Sequence, residues 1–156
     1  MPDDRCDTYA VDLLDPEATD GWAAHVAERF GGVDALIHLV GGWRGGKPIS
    51  EAPVEDDEFL HGLLVRSVQT ASRAFLPYLV ERAGRFVIVS SIQAQAPTAT
   101  NAAYATAKAG AEAWTLALAD ESDPKAWLDL VDDDEFPLSI FYTSLKGKLE
   151  AEPVPA

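Results

Sequence analysis

Apolar residues fall along this chain in two rhythms, short runs of strand length and longer stretches at helical spacing, each closed by glycine or proline. Residues 8–14 (TYAVDLL) carry β-branched and aromatic side chains and stop at Asp15-Pro16, where a proline at the first helical position starts a helix. Trp22, Ala23, Val26, Ala27 and Phe30 then recur every three or four residues until Gly31-Gly32, which predicts one amphipathic helix. Residues 33–40 (VDALIHLV) form a short apolar run of the kind found in a strand buried on both faces, and a glycine-rich loop follows it. A long helical stretch covers about 54–80 with Pro77 inside it, a position where proline kinks or ends a helix. Residues 85–90 (RFVIVS) are the clearest strand, and the Ala-rich residues 102–120 favour helix strongly. Strand and helix alternate, so the pattern predicts an α/β fold with a parallel sheet and helices on its faces.

The rhythm changes after Asp120. Residues 120–156 hold 10 acidic and 3 basic side chains, so that segment carries 7 (10 − 3) of the 14 excess negative charges. Residues 1–121 therefore read as the α/β domain and 122–156 as a divergent acidic segment, with one further strand expected at 138–145 (LSIFYTSL). Asp132, Asp133, Asp134 and Glu135 read as a solvated acidic turn.

Length and composition narrow the classes. A chain of 156 residues suits one core, and 47% apolar with 24% charged residues matches an ordinary folded domain. A net charge of −14 with 12 scattered basic residues argues against nucleic acid as a partner. No apolar run approaches the length of a membrane span. Cys6, the sole cysteine, cannot close an intramolecular disulfide, and no Cys/His set has metal-ligand spacing, so a reducing cytoplasm is the expected setting.

In an open parallel sheet, ligands collect beyond the carboxyl ends of the strands, which directs attention to the residues after positions 40 and 89. Ser90 and Ser91 follow the second of these strands. Tyr104 comes 13 residues after Ser91, and Lys108 lies one helical turn beyond it on the same face. A phenol beside an ammonium has its anionic form favoured and is equipped to move a proton to or from a carbonyl or alcohol oxygen. A neighbouring serine hydroxyl can hold the same oxygen in place.

The stretch from residue 87 to 108 (VIVSSIQAQAPTATNAAYATAK) resembles the catalytic segment of the short-chain dehydrogenase/reductase family, with a serine ahead of Tyr-x-x-x-Lys at matching spacing. Residues 11–14 with Asp12 resemble the family's third strand, 30–42 (FGGVDALIHLVGG) its fourth strand and cofactor-side glycine loop, and 72–79 (SRAFLPYL) the helix that follows. The resemblance covers about residues 8–121 in order. It implies that Ser91 polarises the substrate oxygen, that Tyr104 is the acid/base, and that Lys108 holds the nicotinamide ribose of NAD or NADP. Asp12 and Gly41 would be further cofactor contacts.

The sequence also departs from the family. No Gly-x-Gly-x-x-Gly phosphate loop is present; Gly41, Gly42, Gly45 and Gly46 have the wrong spacing and follow the wrong strand. The resemblance thus implies an incomplete Rossmann-like sheet lacking its first strand-helix-strand unit, and weak cofactor binding. Residues 8–14 then lose their family neighbour and are expected to pair directly with 33–40. Only Gly41 of the family's Asn-Asn-Ala-Gly loop is kept, His38 reads as a satisfied core or strand-end histidine, and Leu64 replaces the asparagine that anchors a proton-relay water. The expected function is an NAD(P)-dependent oxidoreductase acting on a small carbonyl or alcohol, homo-oligomeric through the helices at about 54–80 and 102–120. A non-catalytic interaction or dimerisation module derived from a dehydrogenase is the alternative.

Overall fold

The computed structural model describes residues 5–122, 128–131 and 140–144. Helix α1 (Pro16–Phe30) starts where the sequence places it, with the Asp15 carboxylate accepting from the Ala18 N–H and Gly31 closing it in a left-handed conformation at φ 74°. Trp22 packs edge-on against Phe75, which ties α1 to the long helical stretch behind the sheet. That stretch is continuous but not uniform: α2 (Val54–His61) passes through a π turn at Gly62–Arg66 into α3 (Ser67–Glu81). Pro77 does not end it, and the helix continues for another turn.

The sheet contains β1 (Ala35–His38), β2 (Arg85–Val89), β3 (Leu128–Val131) and β4 (Ile140–Ser144), in the order β1-β2-β4-β3. Strands β1 and β2 are parallel, with Leu36 opposite Phe86 and His38 opposite Ile88. Helix α4 (Ala102–Ser122) follows β2. Leu36, Phe86 and Ile88 enter one core with Ala23, Phe75, Leu79, Ala111 and Leu118, so the helices cover a single face of the sheet. A smaller cluster of Leu60, Leu64, Val65, Tyr104 and Ala107 seals α2 and the π turn against α4.

Four sequence expectations need correction. Residues 8–14 form no strand and do not pair with 33–40; among the described residues β1 has β2 as its one neighbour. Their polar groups turn inward on themselves instead: the Asp12 carboxylate accepts from the Leu14 N–H, and its carbonyl accepts from the Asp15 N–H. Residues 33–40 are not buried on both faces, since Ile37 and Leu39 are 58% and 70% exposed while Leu36 and His38 are buried. The sheet is parallel only between β1 and β2; β4 is antiparallel to both β2 and β3. The segment after Asp120 also contributes two strands rather than one, and β4 matches the apolar run at 138–145. The acidic turn at Asp132, Asp133, Asp134 and Glu135 lies outside the described residues.

Candidate active site

Ser91 leaves β2 at its carboxyl end and caps the short helical turn Ile92–Ala94, its Oγ accepting from the Gln93 N–H at 3.3 Å. Tyr104 and Lys108 sit one turn apart near the start of α4, with the Lys108 Nζ 5.8 Å from the centre of the tyrosine ring. All three side chains are nearly covered, at 3%, 8% and 7% exposure respectively. Lys108 reaches across to the sheet and donates to the Val89 carbonyl oxygen at 2.6 Å, two residues before Ser91. The end of β2 and the first turns of α4 are thereby joined by an ammonium.

Burial pushes that ammonium below the ordinary lysine range, and the nearby Glu112 carboxylate opposes the shift. Glu112 is a further turn along α4 and pairs closely with the Ser90 hydroxyl, which is completely buried. Glu112 thus supplies a negative charge near a lysine whose hydrogen-bond acceptor is the Val89 carbonyl. The sequence pattern missed this pair. Its signal was a carboxylate four residues after Lys108 on the same helix face.

His38 closes β1 on the same side of the sheet. It is 6% exposed, and its Nε2 has no hydrogen-bond partner among the described residues, which corrects its reading as a satisfied core histidine. Burial lowers its pKa to about 4; a hydrogen bond with its own backbone opposes this, and the charge of Lys108 reinforces it. Leu64, at the position of the family's water-anchoring asparagine, is 2% exposed and packs in the smaller apolar cluster.

The other two expected cofactor contacts are exposed. Asp12 is exposed and its carboxylate is engaged in its own turn. Gly41 is exposed, three residues beyond His38, and a Cβ there would meet only ordinary contacts with Leu64 and the Leu39 carbonyl. The chain therefore presents groups that fit the ribose and nicotinamide side of a dinucleotide, Lys108 above all. A cavity of about 360 Å³ is lined by Gln93, Pro97, Thr98, Ala102 and Ala105, residues of the segment between Ser91 and Tyr104 and of the start of α4; Ser91, Tyr104 and Lys108 do not line it. The loop at 43–53 is strapped over the approach by the Gly46 N–H donating to the Thr100 carbonyl and the Trp43 indole donating to Asn101. Among the described residues no group of His, Cys, Asp and Glu side chains is arranged to hold a metal ion, and no helix is long and apolar enough to cross a membrane.

Comparison with known proteins shows the family. The family model described as short chain dehydrogenase matches residues 3–127. A short chain dehydrogenase of Pseudocercospora fijiensis is 33% identical over 115 residues, covering 72% of this chain and 37% of that protein. A short-chain dehydrogenase from Streptomyces avermitilis superimposes with a TM-score of 0.70 at 34% identity, over 78% of this chain and 45% of the other. A short chain dehydrogenase from Burkholderia cenocepacia, solved in complex with NADP, gives 0.63 at 34% identity, over 74% of this chain and 46% of the other. The chain thus spans less than half the length of each of these relatives. With the matched region running from the first residues through the Ser91, Tyr104 and Lys108 segment, this chain belongs to the short-chain dehydrogenase family.

Proposed function

We propose that the chain carries the catalytic half of an NAD(P)-dependent oxidoreductase that interconverts a carbonyl and an alcohol in the cytoplasm. The observation that carries this reading is the buried Lys108 ammonium held between the end of β2 and the Tyr104 ring. Tyr104 gives a proton to the carbonyl oxygen in reduction and takes it back in oxidation. The Ser91 hydroxyl donates to the same oxygen and fixes its position, while Lys108 keeps positive charge beside the phenol and contacts the ribose. Hydride is the contribution of the nicotinamide cofactor when it is bound. The NADP named with the Burkholderia cenocepacia relative supports a nicotinamide cofactor for this chain as well.

Asp12 and Gly41 are assigned outer contacts to the same cofactor. With no Gly-x-Gly-x-x-Gly in the chain, binding rests mainly on the ribose side and is weak. Isothermal titration with NADH and NADPH checks this, and a micromolar dissociation constant overturns it. Two copies associate through α2, α3 and α4. A groove between α2 and α4, lined by His61, Val65, Ala103, Ala107 and Gly110, supports that face as the interface because small residues let helices approach closely.

The deciding experiment follows NAD(P)H oxidation with a panel of aldehydes and ketones for the natural chain and for Tyr104→Phe. Loss of all turnover in the variant supports the enzyme. Unchanged behaviour favours the alternative, a non-catalytic interaction module, for which the exposed apolar face of β1 is the specific support.

A further inference from the structure

We propose that His38 is a positioning residue that shares one buried water molecule with Lys108, and that this water fixes the ammonium beside Tyr104. Three observations converge on it. First, the His38 Nε2 is a buried nitrogen with no partner among the described residues, and buried polar atoms of this kind are ordinarily satisfied by protein or by ordered water. Second, Lys108 has three N–H groups, of which the Val89 carbonyl takes one. Third, the two groups are neighbours across the strand pair, because His38 lies opposite Ile88 in the parallel register and Val89 is the next residue.

Their polarity is complementary. The ring bonds to its own backbone and leaves Nε2 unpartnered among the described residues, so in the bridge Nε2 is the acceptor and Nδ1 carries the proton. The Lys108 charge acts on the ring, yet no direct hydrogen bond joins them, an arrangement that a bridging water satisfies. Water accepts from the ammonium and donates to Nε2. His38 and Lys108 are both buried, so the bridge is shielded from bulk solvent. In this chain the polar anchor therefore comes from the end of β1 rather than from position 64.

The link to Tyr104 rests on the oxidoreductase reading, whereas the bridge itself does not. In the natural chain labelled with ¹⁵N-histidine, we expect the His38 ring to hold one tautomer, with Nε2 shielded as a hydrogen-bond acceptor and its Hε1 showing cross-relaxation to a long-lived water. Lys108→Met should abolish the Nε2 shielding. A bare Nε2 signal, or absence of the water contact in the natural chain, overturns the bridge without any variant having to fold. In the turnover assay, His38→Phe should lower kcat about tenfold, leave KM nearly unchanged and displace the pH profile, and His38→Gln should restore most of the rate. An unaltered rate and pH profile in His38→Phe overturns the positioning role. Failure of Tyr104→Phe to affect turnover removes the oxidoreductase reading instead, and the histidine spectra still decide the water.

Discussion

A histidine buried as a neutral ring makes stability depend on acid. His38 has its pKa lowered from 6.5 to about 4, so the unfolded chain binds a proton that the folded chain refuses throughout that window. Stability contributed by keeping the ring neutral is complete above 6.5 and is lost as pH falls towards 4, an effect on the order of 3 kcal/mol. His38→Gln should flatten this part of a denaturant-derived stability profile, and an unchanged slope would assign the acid sensitivity elsewhere. Glu112 works in the opposite sense on Lys108, opposing the effect of burial. Glu112→Gln should lower stability by about 1–3 kcal/mol, because it removes a charge next to a buried ammonium and weakens the acceptor of the buried Ser90 hydroxyl. Chemical denaturation of that variant and of Ser90→Ala, measured side by side, separates the charge from the hydrogen bond. At this scale the sequence displayed Ser91, Tyr104 and Lys108 through spacing alone, since one strand end and one helical turn fix their placement. It concealed His38 and Glu112, whose importance comes from neighbours on other elements.

Elements with strong local signals were legible, and those whose state depends on a neighbour were not. α1 has its capping aspartate, its proline and its closing glycine, and α4 has its alanines; both lie where the pattern puts them. Residues 8–14 have equally good strand composition, but their backbone is taken up locally by the Asp12 turn, which leads into α1 instead of along the β1 edge. The same dependence explains β1, whose apolar run predicts two covered faces although helices from this chain cover only one. Tertiary contact also decides Gly45. A Cβ there would stand 2.7 Å from the Thr100 carbonyl oxygen and 3.1 Å from the Trp43 ring, so only glycine lets the 43–53 loop lie against the segment between Ser91 and Tyr104. Gly45→Ala should detach the strap while leaving the core intact. Hydrogen exchange checks this: the Gly46 amide, which donates to Thr100, should lose protection while amides in β2 keep theirs.

At the β1 edge of the sheet one face is covered and the other exposed, and that asymmetry governs how the whole molecule behaves in solution. On the exposed side, Ile37 and Leu39 are more than half exposed, and among the described residues β1 has an unpaired edge with neither lysine nor proline to guard it. The net charge of −14 repels like copies at long range, and salt screens that repulsion within about 10 Å at 0.1 M. Two consequences follow from setting these effects against each other. At low salt the chain should stay dispersed yet bind a hydrophobic dye such as ANS in its folded state, since the apolar face remains accessible. As salt rises, the repulsion fades while the apolar attraction does not, and light scattering should increase. Ile37→Lys tests both at once, because its side chain is 58% exposed and outside the core, so thermal stability should change by no more than about 0.5 kcal/mol. Dye binding and salt-induced scattering should both fall in that variant. If they persist unchanged, the association arises on another surface, and the helical groove between α2 and α4 becomes the face to substitute next.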